Sequence, residues 1–540
     1  MTPKKILATL STLAVGALLV GCGATGVDGT AAAGTATASS TTAATTTAAT
    51  TVDGAALTVD TARAANATPD AADTSWDQAS ATVVTLSGST ATVDGAGVTV
   101  DGNTVTITAG GTYVLTGSLA GQVMVNSASD DEVKLVLADA EITSDTGPAI
   151  TFADAGEAVV VLADGTSNSL TDASSYADTS EEAANAALYS RADLTIGGDG
   201  MLSVTGRSLD GIASTDGLVI TGGTIQVTAA DDGIRGKDHL AITGGTVTVE
   251  AGGDALKSTN DTEAESGFID ISGGTLTLTA GTDGFDAATD VIISGGTLTV
   301  DAADDGIHAE LSLVIGDGDV TLTRSYEGLE AQYIAISGGT VDVTAEDDGL
   351  NVSAADTATS ADTASSDRQM GGGPGGGMAA IDGLALVSGG TLTIDAGGDG
   401  FDSNGSAEIT GGTVIVHGPL NDGNGALDVN GTFTISGGTL IAVGSSGMAE
   451  TPDADSAQGW VQATVSGSAG STIQISSGST VLAEYTAEKD FSNVVYSGEG
   501  ITSGQEYTIT VDGQAVTATA GTSTGGGMGM GGGGGGRPSR

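Results

Sequence analysis

The residues best placed to do chemistry stand in one recurring position. Asp210, Asp232, Asp254, Asp283, Asp305, Glu327, Asp348 and Asp399 each precede a Gly or Ala, and that small residue precedes an apolar one. Further acids crowd several of these sites: Asp231, Asp286, Asp304, Glu346, Asp347 and Asp402. Carboxylates in such density repel, so their pKa values rise or a cation compensates. Ca²⁺ fits, because it takes six to eight oxygens from carboxylates, amides and carbonyls. The candidate metal ligands are Asp232, Asp283, Asp286, Asp304, Asp305, Asp348, Asp399 and Asp402, with Asp283, Asp286, Asp304 and Asp305 as the sharpest group. The competing reading is that each Asp accepts backbone N–H bonds within its own Asp-Gly turn and water screens the rest. Neither an EF-hand loop nor a tandem calcium nonapeptide is present.

The second group is cationic. Arg235, Lys237 and Lys257 stand close together in a chain with 14 Lys plus Arg against 68 Asp plus Glu, and His239 is near them. Three readings compete: a contact for an acidic sugar, charge pairing with neighbouring carboxylates, or a base for β-elimination from a uronate. No Ser-His-Asp arrangement or phosphate loop stands out. Three His and one Cys leave little for a transition-metal site. Binding without catalysis is therefore the expectation, with a calcium-dependent polysaccharide lyase as the rival.

These residues need elements to hold them. In VIISGGTLTVDAADDGIHAE, Val291 and Ile293, then Leu298 and Val300, then Ile307 and Ala309, give three short strands of period 2. Gly295-Gly296 and Asp304-Asp305-Gly306 supply the bends. The phrase recurs at a step of about 22 residues, the mark of a repeat architecture. Gly, Thr, Val and Ile dominate, which argues against a helical solenoid. The expected fold is all-β, a parallel β-helix with coils of about 22 residues.

Stacked coils turn the repeat into columns. Ile212, Ile234, Leu256, Phe285, Ile307, Leu329, Leu350, Phe401 and Leu427 should form one buried stack. The next residue in each coil should face outward: Ala213, Arg235, Lys257, Asp286, His308, Glu330, Asn351, Asp402 and Asp428. Thr246/Thr248, Thr275/Thr277, Thr297/Thr299 and Thr391/Thr393 should line an outward hydroxyl face, explicable by β-propensity alone but flat enough to meet a polysaccharide.

The rest of the chain frames this solenoid. Residues 1–22 read as a targeting segment: Lys4 and Lys5, an apolar run, then Leu19-Val20-Gly21-Cys22, which resembles a bacterial lipobox with Cys22 as the lipid carrier. Residues 23–76, rich in Ala and Thr, read as a disordered linker. The β-helix spans 83–444, a β-rich cap 445–520, and a Gly-rich tail 521–540. Thr259–Gly267 and Val352–Ala380 are inserts leaving the same face, the kind that marks a binding side. A net charge of −54 excludes nucleic acid and anionic membrane as partners.

GTYVLTGSLAGQVMV at Gly111–Val125, VKLVLADAEITSDTGPAI at Val133–Ile150, AALYSRADLTIGGDGMLSVTG at Ala186–Gly206 and DDGIRGKDHLAITGGTVTVEAGGDALKSTN at Asp231–Asn260 carry a resemblance. Over roughly Val83–Gly444 the chain resembles the bacterial carbohydrate-binding domain-containing proteins. The resemblance implies a right-handed parallel β-helix similar to pectate lyases. It implies bound calcium and binding of cellulose or polygalacturonate without lyase activity, and it places Arg235, Lys237 and Lys257 on its strongest phrase. The expectation is a monomeric surface protein held to the membrane by its N-terminal lipid alone. A structural adhesin or envelope spacer is the further alternative.

Overall fold

The computed structural model describes residues 57–128, 131–178, 180, 183–355 and 379–523. Among them, 38 strands join one sheet and four more form a separate antiparallel sheet. Along the repeats the large sheet is a solenoid in which strands pair in parallel with their equivalents one coil away. The Asp-Gly strands make the first of three stacks. Ile212 lies opposite Ile234, Ile234 opposite Leu256, and Leu256 opposite Phe285. The stack continues through Ile307, Leu329, Leu350, Phe401 and Leu427. All nine apolar residues are at most 1% exposed, as the alternation required.

A second stack contributes Leu218, Leu240, Ile269, Val291, Leu313 and Ile334 to the same core, and a third contributes Val247, Leu276, Leu298, Val320, Val341 and Leu392. Two turn chemistries bend the chain between stacks. Gly296 takes φ of +97°, a left-handed conformation in which a Cβ would be strained. At Gly306 the obstacle is space: a Cβ would lie 2.5 Å from Leu322 Cδ1 and 2.6 Å from the Gly328 carbonyl oxygen.

Both ends are closed by antiparallel strands, which hide edges that would otherwise recruit another sheet. Thr82–Gly88 pairs with Ala91–Asp94, and Val98–Asp101 with Thr104–Ile107. At the other end Thr439–Gly444 pairs with Phe491–Ser497, which also pairs with Trp460–Gly467. A separate core of Val443, Val461, Ile473, Val494 and Ile509 lies behind them.

The segment before the solenoid departs from the sequence reading. Residues 57–76, expected within a disordered linker, run along the outward face of the second stack. Thr58 caps a short helix, Val59–Ala65, accepting the Thr61 N–H on Oγ1 at 3.2 Å. Leu57, Val59 and Ala62 pack on Ile292, Val314, Tyr333, Ala335 and Leu386. Further along, Ala72 and Trp76 meet Val114, Val136 and Val159, and Lys134 Nζ donates to the carbonyls of Asp73 and Ser75 at 2.6 and 2.9 Å. The cause lies in the second stack, whose strands are apolar on both sides and need a cover. Residues 1–56, including the targeting segment, Cys22 and most of the linker, lie outside the described residues, as do 356–378 and 524–540.

Candidate metal centre

The Asp-Gly turns build a charged ladder along one corner of the solenoid. Five of the ladder carboxylates cap the next coil rather than their own turn. Asp232 Oδ1 accepts the Asp254 N–H at 3.1 Å, Asp254 Oδ1 the Asp283 N–H at 3.0 Å, and Asp283 Oδ1 the Asp305 N–H at 2.8 Å. Asp348 Oδ1 accepts the Asp399 N–H, and Asp399 Oδ1 the Gly425 N–H, both at 2.5 Å. One oxygen of each is thereby fixed on backbone, and the other is left for the outward column.

In the first half of the ladder cations meet the carboxylates of Asp210, Asp232 and Asp254. Arg235 pairs with Asp210 Oδ2 at 3.0 Å. Lys257 Nζ bonds Asp254 Oδ2, lies 2.9 Å from Asp286 Oδ2, and is 3.8 Å from Asp232 Oδ2. His308 Nδ1 stands 3.5 Å from Asp286 Oδ1. Burial works against the Lys257 charge, but Asp286, Asp254 and Asp232 outweigh it and hold the ammonium pKa up. Burial would also raise Asp286; His308 and Lys257 instead pull it down. Lys237 is exposed and, among the described residues, has no carboxylate within 4.0 Å.

The second half has no such partner. Among the described residues, no Lys, Arg or His nitrogen lies within 4.0 Å of the carboxylates of Asp305, Glu327, Glu330, Asp348, Asp399, Asp402, Asp428 or Glu450. One oxygen each from Asp305, Glu327 and Glu330 falls within a 4.8 Å group. Burial, then the mutual repulsion of Glu330, Asp283 and Glu327, drives the Asp305 pKa up. Burial and the neighbouring Asp348, Asp428 and Asp399 push Asp402 up to about 9, and burial chiefly pushes Asp348 up to about 7.

Asn351 marks the centre of this half. It pairs in register with Glu330 on one side and Asp402 on the other. Its Nδ2 donates to Glu327 Oε2 at 2.7 Å, while its buried Oδ1 has no hydrogen-bond partner. An orphaned carbonyl oxygen among carboxylates is an acceptor among acceptors. A cation would satisfy all of them together, and an all-oxygen donor set is the kind that Ca²⁺ takes.

Measured against the sequence reading, Asp283 and Asp286 do come together, but with His308 rather than Asp305. Asp305 groups instead with Glu327 and Glu330, one coil on. Asp304 is exposed and lies outside both groups. Asp232 is tied to Lys257, whereas Asp348, Asp399 and Asp402 fall in the cation-free half. Glu330, Asn351, Asp428 and Glu450 were missed as ligand candidates. For Glu330, Asn351 and Asp428 the signal was the outward column, where cations stop after His308 and acids and Asn351 follow; Glu450 stands outside that column.

A family model described as carbohydrate-binding domain-containing protein matches residues 101–360 and 293–417, together more than half of the chain. A protein of that description from Acetivibrio thermocellus is 38% identical over 125 residues, which is 23% of this chain and 44% of the relative; the match thus spans less than half the length of that relative. A solved structure, the polysaccharide lyase-like protein from C. thermocellum in a gadolinium derivative, is similar at 32% identity with a TM-score of 0.43, over 44% of this chain and 99% of that one. The chain belongs to the family of carbohydrate-binding domain-containing proteins.

Proposed function

We propose that this protein is a non-catalytic, calcium-dependent polysaccharide-binding protein carried on the cell surface. The observation that carries the calcium part is the unpartnered Asn351 Oδ1 among cation-free carboxylates. Asp305, Glu327, Glu330, Asn351, Asp348, Asp399 and Asp402 are the residues that would hold the ions. Calcium would neutralise the ladder and leave coordination positions for sugar hydroxyls or carboxylates. Lys237 and the solvent-facing Thr rows of the third stack offer contacts beside it. The solenoid is read as right-handed, with coils of about 22 residues. Cys22 is read as the lipid-bearing residue, and the working unit as a monomer.

Lys257 speaks against the lyase reading. A base for proton abstraction needs a lowered pKa, whereas the ring of carboxylates keeps this ammonium charged. The test is a glycan array probed with calcium and with chelator. Calcium-dependent retention of polygalacturonate or cellulose, with no new unsaturated-uronate absorbance, is the expected result. Release of unsaturated product would make it a lyase, and a flat array at every calcium level would make it a spacer.

A further inference from the structure

Aromatic rings are scarce in this chain and most of them are covered. The six Phe are buried, and among the described residues Tyr326 is the only exposed aromatic side chain, at 41%. It stands on the acidic corner, directly before Glu327. The equivalent turn position holds Asp231, Gly253, Thr282, Asp304, Asp347 and Gly398 in other coils. A Tyr in that column serves neither the core, which it does not enter, nor strand propensity, since the position is a bend. Its backbone is locked into the stack: the Tyr326 N–H donates to the Asp304 carbonyl at 2.7 Å, and its own carbonyl accepts the Asp347 N–H at 2.8 Å.

The far end of the cation-free half carries exposed apolar groups of its own. Met448 is 46% exposed and Leu420 62%. The Met448 carbonyl lies 2.5 Å from where a Gly425 Cβ would stand, which puts Met448 on the coil after Gly425. Glu450, on the same coil, accepts the Val429 N–H at 3.0 Å and closes the ladder. Leu420 belongs to the loop that leads into Gly425. From Tyr326 the corner runs through Asp347, Gly398 and Asn424 to Met448. At about 4.8 Å per coil that is roughly 19 Å. The other large exposed apolar side chains lie elsewhere: Met201 on the third stack, Leu311 at the bend into the second, and Val481 in the cap.

We propose that Tyr326 at one end, and Met448 with Leu420 at the other, are sugar-stacking contacts that hold a uronate chain lengthwise along the cation-free corner. The C–H face of one sugar ring lies on the Tyr326 ring, which presents an apolar body and a polar tip. Met448, unbranched and polarizable, adapts to a ring further along. Between them the sugar carboxylates reach ions held by the ladder acids, as the calcium reading requires. The ions supply the attraction that a net charge of −54 otherwise denies a uronate, and the apolar contacts fix the direction of the chain. One exposed apolar residue is ordinary on any surface. Two groups bracketing a single stretch of uncompensated carboxylates, one of them the sole exposed aromatic among the described residues, are what carries the inference. It rests on the calcium-dependent carbohydrate-binding reading and names the residues that orient the ligand there.

The test titrates the full chain with hexagalacturonate in the presence of calcium, by calorimetry, and separately with calcium alone. The variants are Tyr326→Ala, Tyr326→Phe, and Leu420→Ser combined with Met448→Ser. All three side chains are exposed, so their truncation leaves the core intact, and thermal unfolding checks this. The expected result is at least a fivefold loss of hexagalacturonate affinity in Tyr326→Ala and in the double variant, with the affinity for calcium alone and the melting temperature unchanged. Tyr326→Phe should restore what Tyr326→Ala loses, because the ring and not the hydroxyl makes the contact. Unaltered sugar affinity in either truncated protein overturns the track and leaves calcium-dependent binding standing. A sugar loss matched by an equal loss of calcium affinity overturns it too, since the side chain would then be shaping the ion site. Wild-type protein that takes no hexagalacturonate overturns the track, and wild-type protein that takes no saccharide at all overturns the carbohydrate-binding reading with it.

Discussion

Asp402 shows how a single carboxyl can report on the ladder. Burial and four acidic neighbours raise its pKa from 3.8 to about 9. A carboxyl raised on folding binds more protons in the folded state, so stability falls as pH climbs from the lower value to the higher. Metal-free protein should therefore melt lower at pH 8 than at pH 5, and calcium should cancel most of that loss. Asp402→Asn should raise the melting temperature of the metal-free form at pH 8 and shrink the calcium-induced shift. Calcium binding at pH 7 should also release protons, because ligands must be deprotonated. Calorimetry in two buffers of different ionisation enthalpy reads that release directly, and no buffer dependence would mean the ladder acids are already ionised. Lys257→Met belongs to the compensated half and should act differently. It strands Asp254 and Asp286, and breaking a buried pair costs about 3–5 kcal/mol at the upper end. That loss should be the same with and without chelator.

The elements divide into those legible from the chain and those not. The first stack was readable because one apolar residue per coil sits between a small residue and a polar one. Ile307, in its middle, is fully buried, and Ile307→Asp should cost several kcal/mol by placing an unpaired charge there. Denaturation followed by proteolysis should then show cleavage first around that coil. The second stack carried a signal that went unused: Val291-Ile292-Ile293 and Leu313-Val314-Ile315 are unbroken apolar runs, the pattern of strands buried on both faces. Such runs demand a cover, and the Leu57–Trp76 segment supplies it. Composition hid this, since Ala and Thr dominate both the covering segment and the chain before it. Ala62→Asp should lift the helix from Ile292 and Val314 and raise binding of a hydrophobic dye without unfolding the solenoid. The ladder was half legible for a related reason. Reading acids within one coil grouped Asp304 with Asp305, but neighbours in a solenoid lie one coil apart, and that joins Asp305 to Glu327 and Glu330. His417, fully buried where the cap meets the third stack, sits 2.9 Å from the Tyr485 hydroxyl. Burial lowers its pKa from 6.5, so the stability it contributes is present above that value and lost as pH falls below it.

At the scale of the whole molecule, the governing quantity is a net charge of −54. A field of that sign repels a uronate polymer before any contact forms, and it concentrates divalent cations at the surface. The cation-free half of the ladder is where that field is least compensated locally, so calcium bound there would convert a repulsive corner into one that can share ligands with a sugar carboxylate. A neutral glucan meets no such barrier. Two glycans should therefore respond differently to the same chelator. Polygalacturonate retention should fall at least about tenfold, equivalent to 1.4 kcal/mol or more, while neutral β-1,4-glucan retention should barely change. Raising salt in the presence of chelator should recover part of the uronate binding, because the screening length shrinks from about 10 Å at 0.1 M to about 3 Å at 1 M. Uronate binding that survives chelation at low salt would show that calcium is not the bridge, and the exposed Lys237 would then have to supply the attraction from the cationic end of the same face.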